Sequence, residues 1–345
     1  MTQQLIDEVY DSFKKLPSSL KNSTDYESVN KIREYIEKIY LENNLSNDYY
    51  HQCHKTRFIL TLSEIPKCKN QNENILEIGS FTYFSLFLNE ILGYKNIYGL
   101  DRLYNTKEKI IQTTKKLAGR KYSQTVFNID LDSKNDYETI INSGIKFDKI
   151  IFMEVLEHLF RPTLPLIKFR EILKQDGELI LTTPNSCGIS SLNHLLNMRI
   201  PMTFSTMCYG NPYMMHVREY TPATLKYMLR SCGYEEKTFN TINAYNADIK
   251  EKYYNLYPFI NQPEINKKLI NDTIISISTP NKEVISEVPD IIYEIGAYSK
   301  KEFQKYNISN EYFFETLQGK STIKNKFLKI YKFLKLLKLY MICIR

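Results

Sequence analysis

The sequence predicts an α/β fold with a doubly wound parallel sheet, and three observations lead to it. From about residue 74, short apolar runs alternate with amphipathic segments. Several of the apolar runs end at an acidic residue. Glycine or proline closes many of the segments. Strands that alternate with helices at this spacing are typical of parallel sheets whose faces are both covered by helices.

The N-terminal region, residues 1–70, is predicted to form a helical cover. Apolar residues recur there at three- and four-residue spacings, the period of a helix with one buried face. The segments with this pattern are 3–16, 27–44 and 49–65. Pro66 ends the third, because proline cannot continue a helix.

Seven strands and three further helices are predicted beyond the cover. Thr221 suits the N-cap of the last helix, Pro222 its first position and Gly233 its end. The last two strands form a hairpin, with an insertion at about 246–271 between them. The strands are 74–78, 96–100, 124–129, 146–153, 177–184, 235–245 and 272–279, and the helices are 85–92, 164–175 and 221–234.

Polar residues stand at or just past the carboxyl ends of the first five predicted strands. In doubly wound sheets the ligand crevice lies outside these ends, so we expect the side chains to converge there. Asp101 follows Glu77 by 24 residues. This spacing suits an acid at the end of a second strand that binds ribose hydroxyls. The residues are Glu77, Asp101, Asp130, Glu154 and Asn185.

Five blocks of the chain resemble class I S-adenosylmethionine-dependent methyltransferases of the ubiquinone-biosynthesis and glycan-modifying type. The blocks are ILEIGS, YGLD, FNID, FDKIIFMEVLEHL and ILKQDGELILTTPN. The resemblance covers about residues 74–280, and its last two blocks are the most specific. It implies a Rossmann-like methyltransferase domain over 71–285, a C-terminal extension over 286–345, and S-adenosyl-L-methionine as methyl donor.

The resemblance also implies which residues surround the donor. The backbone of Gly79 would approach the methionine part, Asp101 would bind the ribose hydroxyls, and Asp130 would hold the adenine with the backbone around Ile129 and Leu131. The other residues expected in the cofactor site are Glu77, Ser80, Phe81, Arg102 and Met153.

The loop after the first strand has one glycine, Gly79, where dinucleotide-binding loops have further glycines. Phe81 and Tyr83 occupy those later positions. The missing glycines normally let a charged pyrophosphate approach the backbone. S-adenosylmethionine has no phosphate, so one glycine can supply the tight turn. The alternative is a degenerate loop that has lost its cofactor.

The stretch EVLEH predicts a divalent cation site. It places Glu154, Glu157 and His158 at i, i+3 and i+4, which share one face of a helix. His216 can supply a fourth ligand. The set is similar to that of small-RNA 2′-O-methyltransferases of the Hen type. Oxygen and imidazole ligands suit Mg²⁺ or Mn²⁺, with Fe²⁺, Co²⁺ or Zn²⁺ possible, and the cation would lower the pKa of an acceptor hydroxyl.

The same stretch has a second interpretation without a metal. EVLEHL is also common in methyltransferases that need no cation, where Glu154 begins a helix and His158 packs on the sheet. His216 or His158 is then the candidate general base, because imidazole titrates near neutral pH. Glu154 completes the set of candidate catalytic residues.

Basic residues concentrate at the C-terminus. The net charge is +7, and residues 320–345 hold eight bases and no acid, so the remainder carries −1. Lysines recur every three residues from 326 to 338 among apolar residues, which predicts a weakly amphipathic helix that contacts a membrane surface. The alternatives are a solvated helix or one packed on the core or on a second subunit.

Composition and charge exclude several other classes of protein. The near-neutral remainder and the lack of an RNA-binding module make a nucleic-acid partner unlikely by the usual criteria. Six dispersed cysteines without a C-x-x-C pair exclude a zinc ribbon or a disulfide framework. The sequence contains no signal peptide pattern, so we expect a cytoplasmic protein, with the inner membrane surface as a possible site.

We expect O-methylation of a hydroxyl on a sugar or surface-glycan precursor. The acceptor class comes from a resemblance of residues 216–234 and 272–294 to enzymes of bacterial surface-polysaccharide modification. The alternatives are an RNA 2′-O-methyltransferase and a non-catalytic binding protein on the same fold. The sequence does not specify the oligomeric state.

Overall fold

The computed structural model describes residues 26–80, 84–103, 106–117, 120–196, 198, 216–244 and 270–282. Several predictions lie outside these residues. They are the helix at 3–16, the roles of Phe81 and Tyr83, most of the insertion at 246–271, and the C-terminal extension with its basic tail at 320–345.

The fold is built on a mixed sheet. Its strands are β1 (Asn74–Ile78), β2 (Asn96–Asp101), β3 (Ile110–Leu117), β4 (Arg120–Asn128), β5 (Phe147–Met153), β6 (Leu173–Pro184), β7 (Tyr234–Ile242) and β8 (Thr273–Pro280). The order is β3-β4-β2-β1-β5-β6-β8-β7. Neighbours from β4 to β6 are parallel, whereas β3, β8 and β7 run antiparallel to their neighbours.

The predicted doubly wound fold is confirmed, with one correction to the strand count. The sheet has eight strands instead of seven. The additional strand is β3, which pairs antiparallel with β4 at the sheet edge. Its first residues, Ile110 to Thr114, are mostly β-branched, and such residues favour the extended conformation. The chain therefore enters β4 from a strand, where a doubly wound fold normally places a helix.

Helices cover the sheet at the predicted places. α7 has the predicted Thr221 cap, which forms a capping box with Thr224, and Gly233 follows it with φ +80°. α5 ends earlier than predicted, because β6 already begins at Leu173. The helices are α1 (Tyr26–Glu42), α2 (Tyr49–Glu64), α3 (Phe84–Glu90), α4 (Glu138–Asn142), α5 (Thr163–Ile172), α6 (Ile189–Leu196) and α7 (Pro222–Ser231), with single 3₁₀ turns at Leu45–Asn47, Lys134–Tyr137 and Leu156–His158.

The core has one large cluster on each face of the sheet. Phe152 belongs to the first and its neighbour Ile151 to the second, because successive strand residues point to opposite faces. α1 and α2 contribute Ile36 and Phe58 to the second cluster. Both helices thus pack on the sheet, as the predicted cover requires.

No helix among the described residues is long and apolar enough to cross a membrane.

Candidate active site

The carboxyl ends of β2, β1, β5 and β6 meet at one edge of the sheet. Three backbone hydrogen bonds lie between neighbouring ends at this edge, where β4 also ends: Gly79 N–H donates to Leu100 O at 2.8 Å, Ile129 N–H to Asp101 O at 3.0 Å, and Glu154 N–H to Thr182 O at 2.9 Å. The backbone segments that carry Glu77, Asp101, Asp130 and Glu154 are therefore neighbours at this edge, and the convergence of their side chains on one crevice stays a prediction.

The turn after β1 depends on two glycines. Gly79 has φ +72°, a conformation that glycine adopts without strain. The next residue, Ser80, is buried against β2. A Cβ atom on Gly99 would lie 2.5 Å from Ser80 Oγ, so the turn can pack on β2 only because residue 99 lacks a side chain. The role of Gly79 was predicted from the sequence, whereas that of Gly99 was not.

An ion pair links the residues predicted to bind adenosine. The Arg102 guanidinium lies 2.9 Å from the Asp130 carboxylate. The Asp101 carboxylate accepts from Arg102 N–H at 2.7 Å, and Asp130 accepts from Asp132 N–H at 3.0 Å. Leu131 is buried, and its carbonyl accepts from the hydroxyl of Tyr137 at 2.8 Å. Arg102 thereby ties the end of β2 to the loop after β4.

The predicted helical face of Glu154, Glu157 and His158 is wrong. Glu154 directly follows β5 and has φ +49°, so the chain leaves the strand in a left-handed conformation and enters a single 3₁₀ turn, Leu156–His158. The Glu154 carboxylate lies 3.3 Å from the guanidinium of Arg57. Asn185, also expected in the crevice, is fully buried and accepts from Cys187 N–H at 3.1 Å, which stabilises a turn.

Three of the four predicted metal ligands lie together. Glu157, His158 and His216 each offer one ligand atom, and these atoms are within 4.8 Å of one another. The two imidazole rings meet edge to face at 4.9 Å. The Glu157 carbonyl holds the distant segment in place, because it accepts from the N–H groups of Val217 and Arg218 at 2.8 and 3.1 Å.

Burial strongly shifts the pKa of Glu157, the acid of this cluster. The residue is 1% exposed, and burial, followed by the negative charge of Glu154, raises its pKa to about 8. Thr183 donates to Oε2 at 2.8 Å. Oε1 is buried, has no hydrogen-bond partner within the described part of the chain, and lies 3.7 Å from His158 Nε2. A buried carboxyl oxygen without a partner is costly in the interior, and a bound cation would remove that cost.

Glu219 orients His216 and was missed by the sequence analysis. Its carboxylate lies 2.7 Å from His216 Nδ1, and its side chain is 4% exposed. A neutral imidazole that donates its Nδ1 proton to Glu219 keeps its lone pair on Nε2. The H-x-x-E spacing at 216–219 was the sequence signal for this pair.

Arg57 of α2 was missed as well. It is 3% exposed and brings a positive charge from the helical cover to the end of β5. Its Nη2 lies 3.5 Å from the Tyr50 hydroxyl. Burial, together with the charge of Arg57, lowers the pKa of His54 to about 3. In the sequence, the signal for a buried Arg57 was an arginine placed between apolar residues of an amphipathic helix.

The fold and this site define a class of protein, an α/β enzyme that binds a nucleoside-containing cosubstrate at the carboxyl edge of its parallel strands. The model of a protein family described as a methyltransferase domain matches residues 48–236. Because the match spans more than half of the chain, the chain belongs to this family, and it is an S-adenosylmethionine-dependent methyltransferase.

Solved structures of methyltransferases resemble the chain weakly. A methyltransferase from Archaeoglobus fulgidus is 18% identical, with a TM-score of 0.41 over 68% of this chain and 100% of that one. One from Mesorhizobium loti is 12% identical, with a TM-score of 0.39 over 65% and 97%. These values are too low to say anything about the acceptor. The comparison with curated proteins finds no match.

Proposed function

We propose that the protein methylates a hydroxyl of a sugar or surface-glycan precursor with the help of a divalent cation. The observation that carries the proposal is the cluster of Glu157, His158 and His216, whose ligand atoms lie within 4.8 Å of one another. The cluster follows β5, at the sheet edge where Gly79 and Asp101 lie. The acceptor class rests on the resemblance of residues 216–234 to surface-polysaccharide enzymes.

The donor set of the cluster fits a cation. Oε1 of Glu157 is buried without a hydrogen bond among the described residues, and Glu219 stands behind His216 as carboxylates commonly stand behind metal-bound imidazoles. One carboxylate with two imidazoles suits Mn²⁺, Fe²⁺, Co²⁺ or Zn²⁺ better than Mg²⁺. When bound, the cation would lower the pKa of the acceptor hydroxyl. We leave Glu154 out of the ligand set because Arg57 pairs with it.

The charges around the strand ends match those of the donor. The methionine half of S-adenosylmethionine carries a carboxylate and an ammonium group. Arg57 offers a cation for the first, and the carboxylates of the buried Glu77 and of the partly exposed Glu154 offer anions for the second. Asp101 would accept hydrogen bonds from the ribose hydroxyls. Holding the donor in this way supplies alignment and excludes water, which methyl transfer from a sulfonium chiefly requires.

The test is transfer of labelled methyl groups to nucleotide sugars and glycan fragments, before and after dialysis against EDTA. We expect activity to disappear with the chelator and to return with one of the divalent ions. Glu157→Gln should abolish that return and leave donor affinity unchanged. Glu178→Gln, an acid far from the cluster that pairs with Lys237, is the matched control.

Two results would overturn parts of the proposal. Full activity in EDTA would refute the role of the cation. His216, oriented by Glu219, would then be the general base. Methylation of RNA, with none of the sugar acceptors methylated, would show that the acceptor is RNA and not a sugar.

A further inference from the structure

Asp132 joins the loop after β4 to the loop after β5. Its carboxylate accepts from Arg161 N–H at 2.7 Å and from Phe160 N–H at 3.2 Å. The Arg161 guanidinium donates in return to the Asp132 carbonyl at 3.4 Å. Hydrogen bonds to a charged acceptor are stronger than neutral ones. A single residue of the first loop therefore fixes two consecutive residues of the second.

The two loops belong to different parts of the candidate site. The first contains Asp130 and Leu131, which are predicted to hold the adenine of the donor. The second contains Glu157 and His158 of the candidate cation cluster, directly before the residues that Asp132 holds. Asp132 therefore connects a segment that would bind the donor with one that would bind the cation.

Polar contacts continue from Asp132 toward β2. Asp132 N–H donates to the Asp130 carboxylate at 3.0 Å, and the same carboxylate lies 2.9 Å from the guanidinium of Arg102. The side chain of Asp130 is 15% exposed, so water screens these contacts only weakly. A ligand that orders the ends of β2 and β4 would therefore also order the acceptor of the Phe160 and Arg161 N–H groups.

We propose that Asp132 is a positioning residue that couples the donor site to the loop carrying the cation cluster. Binding of either ligand orders both loops through Asp132, so the second ligand loses less conformational entropy when it binds. The coupling is reciprocal by thermodynamic linkage. The inference rests on the proposed function for its cation half, whereas the effect of the donor on the loop after β5 needs no cation.

The contact also has a purely structural interpretation. Residues 160 and 161 come just before α5, and Pro162 at the N-cap of this helix offers no side-chain cap. A carboxylate near the first turn of a helix stabilises it. If that were its whole role, replacing Asp132 would lower stability without changing how one ligand affects the other. The decisive quantity is therefore the coupling between the two loops.

The first test is amide hydrogen exchange of the full chain with and without saturating S-adenosylhomocysteine, in the absence of divalent ions. We expect the ligand to slow exchange of the His158 and Leu159 amides, which bond within the 3₁₀ turn, at least about fivefold in the wild type. Asp132→Ala should abolish the slowing. Asp132→Asn should retain part of it, because its amide oxygen can still accept one N–H, and it serves if the alanine variant does not fold.

Asp136→Asn is the matched control. Asp136 is an acid close by in the chain that accepts from Asp130 N–H at 3.2 Å and pairs with Lys109 at 3.3 Å. Its replacement disturbs the donor side of the contact, so donor affinity can fall while the slowing at saturating ligand remains. No slowing in the wild type, or equal slowing in the wild type and both Asp132 variants, would overturn the proposal.

The second test is calorimetric binding of Mn²⁺ or Co²⁺ with and without S-adenosylhomocysteine, which carries no sulfonium charge to repel a cation. We expect the ligand to tighten binding at least about fivefold in the wild type and in Asp136→Asn, and not in Asp132→Ala. Equal cation affinity with and without the ligand in the wild type would overturn the coupling. If neither ion binds the wild type, the cation of the proposed function is refuted, and hydrogen exchange alone decides whether Asp132 links the two loops.

Discussion

Single residues decide the shape and the packing of the turn after β1. Gly79 supplies a left-handed backbone, and Gly99 leaves space for the side chain of Ser80. The first requirement is local and is visible in the sequence. The second arises between two strands, so no pattern around residue 99 announces it. The same contrast applies to His216, which was predicted, and to Glu219, which orients it.

Replacing Glu219 tests its role as the residue that orients His216. We expect Glu219→Gln to weaken Mn²⁺ or Co²⁺ binding about 10- to 100-fold, the usual effect of losing a carboxylate behind a metal-bound imidazole. Nitrogen NMR of the metal-free protein should show the Nδ1–H tautomer of His216 in the wild type and a mixture in Glu219→Ala.

The NMR readout separates this role from the metal itself, because it needs no cation. Glu235→Gln, an exposed acid nearby in the chain, is the control. An unchanged tautomer in Glu219→Ala would show that Glu219 does not orient the ring.

At the scale of elements, the helical cover is joined to the sheet by a buried ion pair. Arg57 of α2 and Glu154 after β5 are 4% and 11% exposed at their side chains. Buried pairs are costly to break because the remaining charge stays in the interior. The contact therefore fixes α2 against the carboxyl end of β5.

Arg57→Met should destabilise the protein by about 3–5 kcal/mol, since it leaves Glu154 without its partner. Glu154→Gln in that background should restore a large part of the loss. Urea unfolding of the two single variants and the double variant measures the coupling. Lys55→Met on the same helix removes a more exposed pair with Glu37 and should cost less than about 1 kcal/mol. Equal losses for the two variants would contradict a buried pair.

The end of α2 should make stability depend on pH. Burial raises the pKa of Glu64 from 4.5 to about 7, and the carboxyl terminus of a helix also disfavours a carboxylate. An acid whose pKa is raised on folding stabilises the fold while it is protonated, below pH 4.5. That contribution disappears as the pH rises through 7.

Thermal unfolding of the wild type and of Glu64→Gln across this range provides the measurement. The difference in stability should move in favour of Glu64→Gln as the pH rises, because glutamine keeps the volume without the charge. Parallel pH profiles would show that Glu64 titrates as an exposed acid.

At the scale of the whole molecule, the donor site that we propose combines segments far apart in the chain. The order β4-β2-β1-β5 places Asp130, Asp101, Gly79 and Glu154 along one edge, and α2 adds Arg57. A ligand at this edge contacts elements that are joined only by folding. Its binding should therefore stabilise the entire domain.

S-adenosylhomocysteine at one hundred times its dissociation constant should raise the free energy of unfolding by about 2.7 kcal/mol. Asp101→Ala should lose about half of this increment or more at the same ligand concentration. Removing hydrogen bonds to a charged group costs about 1.5–3 kcal/mol, roughly 10- to 150-fold in affinity. Denaturant titration with and without ligand measures both. Equal stabilisation of the two proteins would refute the assignment of Asp101 to the ribose.

The sequence by itself predicted the sheet with its acid-terminated strands and the helices at 27–65, and it named Glu157, His158 and His216, together with Glu154, as candidate metal ligands. These follow from periodicity and from residue types at strand ends, which act over a few neighbouring positions. Only the tertiary structure decided the pairing of Glu154 with Arg57, the contact of Ser80 with Gly99 and the antiparallel pairing of β3 with β4. Each of these depends on the distance between segments remote in the chain. Hydrophobic pattern determines which face of an element is buried, but not which partner side chain it meets.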